Sequence, residues 1–397
     1  MLIPSQKEKK ISYGSQSINN SDIFAVLDTL KSDFLTQGPL IEKFEKLLAD
    51  YCGAKYAVAV SNGTAALHLA CLALGLKRGD YHWTSPISFV ASANCGIYCG
   101  SKPDFIDIEI SDFNMSVSKL EEKLIAAKKK NKLPKIVIPV HFAGLPCDMP
   151  SIYYLSQKYG FHIIEDACHA LGAEYKYKGT WYKIGSCKHS NISVFSFHPV
   201  KSITTGEGGA ILTNDKNIYQ KILMLRSHGI KKDNLKFQSL ISKYSQPWYY
   251  EMQDLGFNYR ITDIQCSLGI SQLSRLEKFI VKRNEIAEYY KKNLVKLFGL
   301  QRGELKGSRS AYHLFVVLTP NRNELYGYLK QNNIICQVHY IPIYKQPYYK
   351  NNFKIDSVYF PNAEKYFSQC LSLPCYYEIK KADLRRIKTK ISEFVNL

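Results

Sequence analysis

No CxxC pair and no HExxH segment occurs in this 397-residue sequence, although it carries 11 Cys and 10 His. The spacings that build a structural zinc site or a helical zinc-protease site are therefore missing. An odd number of cysteines in so long a chain excludes a small disulfide scaffold and fits a reducing compartment. Long apolar runs are missing as well. The most apolar stretch, Ala57 to Leu76, is interrupted by Ser61-Asn62-Gly63-Thr64, so it does not read as a membrane span. The opening MLIPSQKEKK has no apolar core and does not read as a secretory leader. The cytoplasm is the expected compartment. Acidic residues are scarce, 34 against 53 Lys and Arg, giving a formal net charge of +19. Such an excess suits phosphorylated ligands, nucleic acid or an anionic surface. Lys-rich usage, alongside plentiful Asn, Ile and Tyr, is the plainer explanation, since no basic stripe dominates and Lys128 to Lys132 is the single low-complexity patch.

The remaining composition is that of an ordinary globular chain, with 46% hydrophobic and 22% charged residues. Short apolar runs at Tyr56–Val60, Ile136–His141, Phe161–Glu165, Ile192–Phe197 and Ala210–Thr213 read as strands. Thr64 to Leu74, with Leu67, Cys71 and Leu74 on one face, reads as a helix. This alternation predicts an α/β fold with a large, mainly parallel sheet flanked by helices. Leu273, Leu276, Ile280, Ala287, Tyr290, Leu294 and Leu297 predict one long helix from Leu273 to Leu297. Beyond it, Tyr312–Leu318 and Ile335–Tyr340 read as strands and Ala382–Val395 as a closing helix. The expected division is a large domain over 1–270 and a smaller α+β segment over 271–397.

Three polar stretches fall at the ends of predicted strands, where parallel sheets bind ligands. Ser61-Asn62-Gly63-Thr64 enters a helix whose free amides suit a phosphate, or it is an ordinary capped turn. Asp166 ends an apolar run and needs a cationic partner, whether a ligand or a neighbouring Lys or Arg. His169 follows it. Lys201 precedes Thr204-Thr205-Gly206-Glu207-Gly208-Gly209, and a Lys at a strand end either acts as a Schiff-base amine or is a surface residue. Together these are the parts that a pyridoxal phosphate site needs.

The motifs LTQGPLIEKFE, SNGTAALHLA, SPISFVASAN, EDACHALGAEY, VFSFHPVKSITTGEGGA, GFNYRITDIQCSLGISQL and QVHYIPIY, in this order, resemble the DegT/DnrJ/EryC1/StrS sugar-nucleotide aminotransferases of fold type I. The stretches SFHPVKSITTGEGG, PWYYEMQDLGFNYR and QVHYIPIY are similar to one subgroup, the aminotransferases of pseudaminic acid biosynthesis. The resemblance implies pyridoxal 5′-phosphate as cofactor and a homodimer with shared active sites. It also implies transfer of an amino group from L-glutamate to a UDP-linked 4-keto-6-deoxy-N-acetylhexosamine.

Residue by residue, the resemblance implies that Lys201 condenses with the cofactor aldehyde, Asp166 pairs with the ring nitrogen and His169 reaches the phenolic oxygen. Phe89 would cover the ring. Gly63, Thr64 and Ser196 would hold the phosphate, with Asn258 reaching it across a dimer interface. Tyr13, Phe34, Leu35, Thr36 and Gln37, together with Gln337, Val338, His339 and Tyr340, would line the sugar-nucleotide side. Lys at position 201, where some members carry His and act as dehydratases, favours transamination. Tyr81-His82-Trp83 departs from the plainly apolar strand usual in the family. A dTDP-linked or 3-keto sugar is the alternative within the class, and a basic, Tyr-rich nucleic-acid-binding module the alternative outside it.

Overall fold

The computed structural model describes residues 9–232, 247–300 and 307–396. Of the opening ten residues, only Lys9 and Lys10 fall within that range.

A central seven-stranded sheet is built from β1 (Tyr56–Val60), β2 (Tyr81–Thr84), β3 (Lys102–Phe105), β4 (Ile136–Ile138), β5 (His162–Asp166), β8 (Ile192–Ser196) and β9 (Gly209–Thr213). A hairpin, β6 (Glu174–Tyr177) and β7 (Thr180–Lys183), lies outside it. The order across the sheet is β1-β9-β8-β5-β4-β2-β3. Strands β3, β2, β4, β5 and β8 pair in parallel. Strand β9 runs antiparallel to both β1 and β8.

Strands β1, β4, β5, β8 and β9, buried on both faces, read as apolar runs, whereas β2 (Tyr81-His82-Trp83-Thr84) and β3 (Lys102-Pro103-Asp104-Phe105) do not. Their period of two divides the side chains between two cores. Ala57, Ala59, Val137, Ile163 and Phe195 pack on one face. Val58, Val60, Ile136, Ile138, Ile164 and Val194 pack on the other.

The flanking helices are α1 (Asn20–Leu30), α2 (Pro39–Cys52), α3 (Gly63–Ala73), α4 (Ala91–Tyr98), α5 (Val117–Lys129), α6 (Met149–Tyr159), α7 (Lys216–Arg226), α8 (Asp263–Leu273) and α9 (Leu276–Leu294). Helices α3 and α7 cover the second face, and α2, α5, α6 and α8 contribute to the first. Lys128 to Lys132 is the solvated end of α5.

The long helix expected over Leu273–Leu297 is α9, with shorter bounds. Helix α8 ends at Leu273, α9 begins at Leu276, and Leu297 lies past its end. The apolar stripe runs unbroken across the join because both helices face the main core, through Leu273 and Leu276. Farther along α9, Ile286, Ala287, Tyr290 and Leu294 join the C-terminal core, which Ile11 also enters. Ile11 pairs in parallel with Ile334. That layer carries a small sheet of Gly299–Leu300, Phe315–Leu318 and Cys370–Leu373, and the closing helix is Lys381–Val395. Ile335–Tyr340 is not a strand. Among the described residues its pairings are isolated ones: the Ile335 amide donates to the Ile11 carbonyl (2.9 Å) and Gln337 bridges Ser372, after which the chain turns toward the main sheet.

The departure at Tyr81-His82-Trp83 is an accommodated polar residue. His82 is fully buried, its Nε2 donates to the Ala93 carbonyl (2.9 Å), and its Nδ1 faces Ser101 Oγ at 2.6 Å. Gly96 makes room for it: a Cβ there would sit 2.4 Å from the imidazole.

Candidate active site

Asp166 ends β5 and is 5% exposed. Its Oδ2 accepts from Ser92 Oγ (2.6 Å) and its Oδ1 from the Cys168 amide (3.2 Å). Ser92 comes from the first turn of α4, so the carboxylate is held by two separate elements.

Lys201 lies in the loop between β8 and β9. The β8–β9 ladder starts at Ser196 opposite Gly209. Phe197 then donates to the Gly208 carbonyl (2.8 Å), and its own carbonyl accepts from the Thr205 amide (3.0 Å) and Thr204 Oγ1 (3.0 Å). The loop is thus closed at its base, and the Lys201 amide donates to the His198 carbonyl (2.9 Å). Lys201 is half-buried. Burial of its amine, with the charge of Arg283, holds its pKa below the usual Lys value against the opposite pull of Cys168 and Asp166.

His169 is buried, its Nε2 lies 3.2 Å from Tyr340 Oη, and its Nδ1 has no partner among the described residues. The His313 ring lies 4.3 Å from it, centroid to centroid, again with an unpartnered, buried Nδ1. Burial first, then the charge of Lys201, depresses both imidazoles well below the ordinary His value, so both rings are neutral.

Asn62 caps α3 by accepting from the Ala65 amide (2.8 Å), which leaves the amides of Gly63 and Thr64 at the open end of the helix. Gly63 is packed against Ser196: a Cβ on it would lie 2.9 Å from Ser196 Cβ. The three residues of the expected phosphate cradle therefore meet at the ends of β1 and β8.

Phe89 is 59% exposed, its ring 6.3 Å from that of Tyr340. Tyr13 lies 5.6 Å from His339, ring to ring. Val338 packs with Tyr340 against the core beneath, while Gln337 is exposed and paired through its backbone to Ser372. Phe34, Leu35, Thr36 and Gln37 are exposed. They lie with a different group: Thr36 bridges Thr262, and the Leu35 carbonyl accepts from the Asp263 amide (3.0 Å). No hydrogen bond or ring contact among the described residues ties them to Lys201, Asp166 or His169. Asn258 is exposed, one residue from Tyr259, whose carbonyl accepts from the Ser61 amide (2.9 Å).

Sequence reading missed Ser88, Ser92, His313 and Arg283. Buried Arg283 donates to the carbonyls of Tyr312 (3.2 Å), His313 (3.2 Å) and Cys375 (2.6 Å), fixing the turn that presents His313. The i, i+4 spacing of Ser88 and Ser92, beside Phe89, was the only available signal. Among the described residues, no group of three His, Cys, Asp or Glu is placed to hold a metal ion, and no helix is long and apolar enough to cross a membrane.

Residues 16–392 match the DegT/DnrJ/EryC1/StrS aminotransferase family. The chain is 38% identical over 384 residues to the UDP-4-amino-4,6-dideoxy-N-acetyl-beta-L-altrosamine transaminase of Campylobacter jejuni subsp. jejuni serotype O:23/36, covering 95% of this chain and 96% of that protein. Among solved structures it superposes on Helicobacter pylori PseC, an aminotransferase involved in the biosynthesis of pseudoaminic acid, with a TM-score of 0.87 and 30% identity over 98% of this chain and 100% of that one. The PLP form of the putative sugar aminotransferase Spr1654 from Streptococcus pneumoniae follows, with a TM-score of 0.84 and 25% identity over 98% and 100% of the two chains.

Proposed function

The chain belongs to the DegT/DnrJ/EryC1/StrS aminotransferase family and is a sugar aminotransferase, and from that premise we propose that it uses pyridoxal 5′-phosphate to move an amino group from L-glutamate to a UDP-linked 4-keto-6-deoxy-N-acetylhexosamine. The observation that carries the reading is the convergence of a carboxylate, an amine of lowered pKa and an open helix end on one edge of the sheet.

The residues present fit the cofactor. The unpartnered, buried Nδ1 of His169 is a polar atom awaiting a ligand. The Gly63–Ser196 contact leaves no room for a side chain beside the helix-end amides. The exposed face of Phe89 stands ready to cover a planar ring. Bound pyridoxal phosphate supplies an aldehyde that condenses with amines and a ring that accepts an electron pair from the adjacent carbon.

The chain's own groups do the rest. Asp166 would set a negative charge by the ring nitrogen and favour its protonated form. Gly63, Thr64 and Ser196 would hold the phosphate at the positive end of α3. Lys201, whose amine burial makes easier to deprotonate, would take a proton from the α-carbon of glutamate and return one to the sugar carbon being aminated. A positioned acid–base group of this kind contributes ~10²–10⁴ in rate.

Pseudaminic acid biosynthesis is the pathway favoured by the named relatives. A homodimer with shared sites is supported by the apolar row Ile23, Phe24, Leu27 and Leu30 on α1, continued by Phe34 and Leu35, all exposed in the single chain.

The test is an assay of UDP- and dTDP-linked 3- and 4-keto sugars with glutamate, identifying the amino sugar by NMR. It is paired with borohydride reduction and peptide mapping, which should label Lys201. A 3-amino or dTDP-linked product would overturn the substrate assignment, and a label on another lysine the catalytic one.

A further inference from the structure

Ser92 is fully buried, and Asp166 Oδ2 and Ser88 Oγ each lie 2.6 Å from its hydroxyl. A serine in a helix commonly turns its hydroxyl back onto the carbonyl four residues earlier. Ser92 instead points across the site, to a carboxylate 74 positions away. The proton count fixes the direction of the chain. An ionised carboxylate only accepts, so the single Ser92 proton goes to Asp166, and Ser88 donates to Ser92. Two hydroxyls are thus aligned toward one charge, and each polarises the next.

The segment that carries them is itself anchored. Ile343 donates its amide to the Pro86 carbonyl (3.0 Å), and Tyr349 Oη donates to Asn94 Oδ1 (2.6 Å). The same stretch presents Phe89. One loop and helix turn therefore hold both the ring-covering residue and the support of the carboxylate.

We propose that Ser92, oriented by Ser88, is a positioning residue for amino transfer: it fixes the plane of the Asp166 carboxylate and keeps its charge directed at the cofactor ring nitrogen. This rests on the pyridoxal phosphate reading above. A hydroxyl donating to a carboxylate favours the charged form and restricts its rotation. Without it, one oxygen of Asp166 is left to turn away or to draw the shared proton off the ring.

The experiment compares Ser92→Ala, Ser92→Thr, Ser88→Ala and Asp166→Asn with wild type, each reconstituted with pyridoxal phosphate. Three quantities are read: kcat and KM separately, stability in urea, and the pH midpoint of the visible absorption band without substrate. Ser92→Ala should lose roughly ten- to a hundredfold in kcat with KM nearly unchanged, the scale of one hydrogen bond to a charged group. Its absorption midpoint should move away from that of wild type. Ser92→Thr, which keeps the hydroxyl, should restore both, and Ser88→Ala should lie between.

The proposal is overturned if Ser92→Ala keeps the wild-type kcat and midpoint while Asp166→Asn is inactive. It is also overturned if Ser92→Thr is as impaired as Ser92→Ala and both lose stability in proportion, because packing would then explain the effect. Wild-type turnover by Asp166→Asn would instead remove the reading on which the proposal stands.

Discussion

Replacing Asp166 by Asn changes one atom, and the structure says which groups must respond. Both carboxylate oxygens accept hydrogen bonds, from Ser92 Oγ at 2.6 Å and from the Cys168 amide at 3.2 Å. A backbone amide cannot become an acceptor, so the Asn oxygen must stay toward Cys168 and its NH₂ group must face Ser92. The Ser92 hydroxyl then rotates to accept from that NH₂ and donates to Ser88 Oγ, 2.6 Å away. Every group keeps a partner, and the fold exchanges a charge-assisted bond for a neutral one, a change of ~1 kcal/mol. On the proposed reading catalysis has no such escape, because the negative charge meant for the ring nitrogen is gone. Losing one preorganised electrostatic contact of this kind costs ~10²–10³ in kcat. Urea unfolding and steady-state kinetics on the same preparation separate the two effects. Turnover within about threefold of wild type, or a loss of stability above ~3 kcal/mol, would refute the reasoning and make Asp166 a structural partner.

Two further outcomes follow from the same geometry. If sites are shared between subunits, mixing inactive Lys201→Ala with inactive Asn258→Asp should partly restore activity, since one site of each mixed dimer carries neither lesion; no recovery after proven subunit exchange would mean that each chain builds its own site. For His82, burial lowers the ring pKa from 6.5 to about 4, so the unfolded chain takes up the proton first. Its contribution to stability is complete above pH 6.5 and falls as the pH drops toward 4, by roughly 2–3 kcal/mol at pH 4.5. His82→Leu should lose correspondingly less than wild type between pH 7 and 4.5 in urea titrations, and equal losses would rule this account out.

Five of the seven sheet strands were legible because they are buried on both faces and so stand out as apolar runs ended by polar residues; Tyr81–Thr84 and Lys102–Phe105 were not, because His82, Lys102 and Asp104 break the apolar pattern. Direction was not legible. Gly209–Thr213 carries the same apolar pattern as its parallel neighbours, and only its link through the closed Lys201 loop makes it antiparallel. The break at Ser274 and Arg275 was hidden because two helices facing one core continue one stripe. Ile335–Tyr340 looked like a strand but is paired only at isolated points, with Ile11 and with Ser372. Ser92 and Ser88 offered only their i, i+4 spacing, because small hydroxyl residues leave no trace in an apolar pattern, and their meaning lies in a carboxylate far along the chain. Ile11 entered a core built mostly from residues beyond 280, which no local signal announces.

The closed base of the loop that carries Lys201 makes that position a socket. Its outline is drawn by main-chain atoms of Phe197, Thr205 and Gly208 and by the Thr204 hydroxyl, none of which depends on the side chain at 201. The amine stands at the end of its own flexible stem, while the ring of backbone that presents it is closed by its own hydrogen bonds. A single codon change could therefore alter the reagent delivered at that spot without re-routing the chain. Within this scaffold, new chemistry lies one substitution away, and the architecture around it does not have to be reinvented.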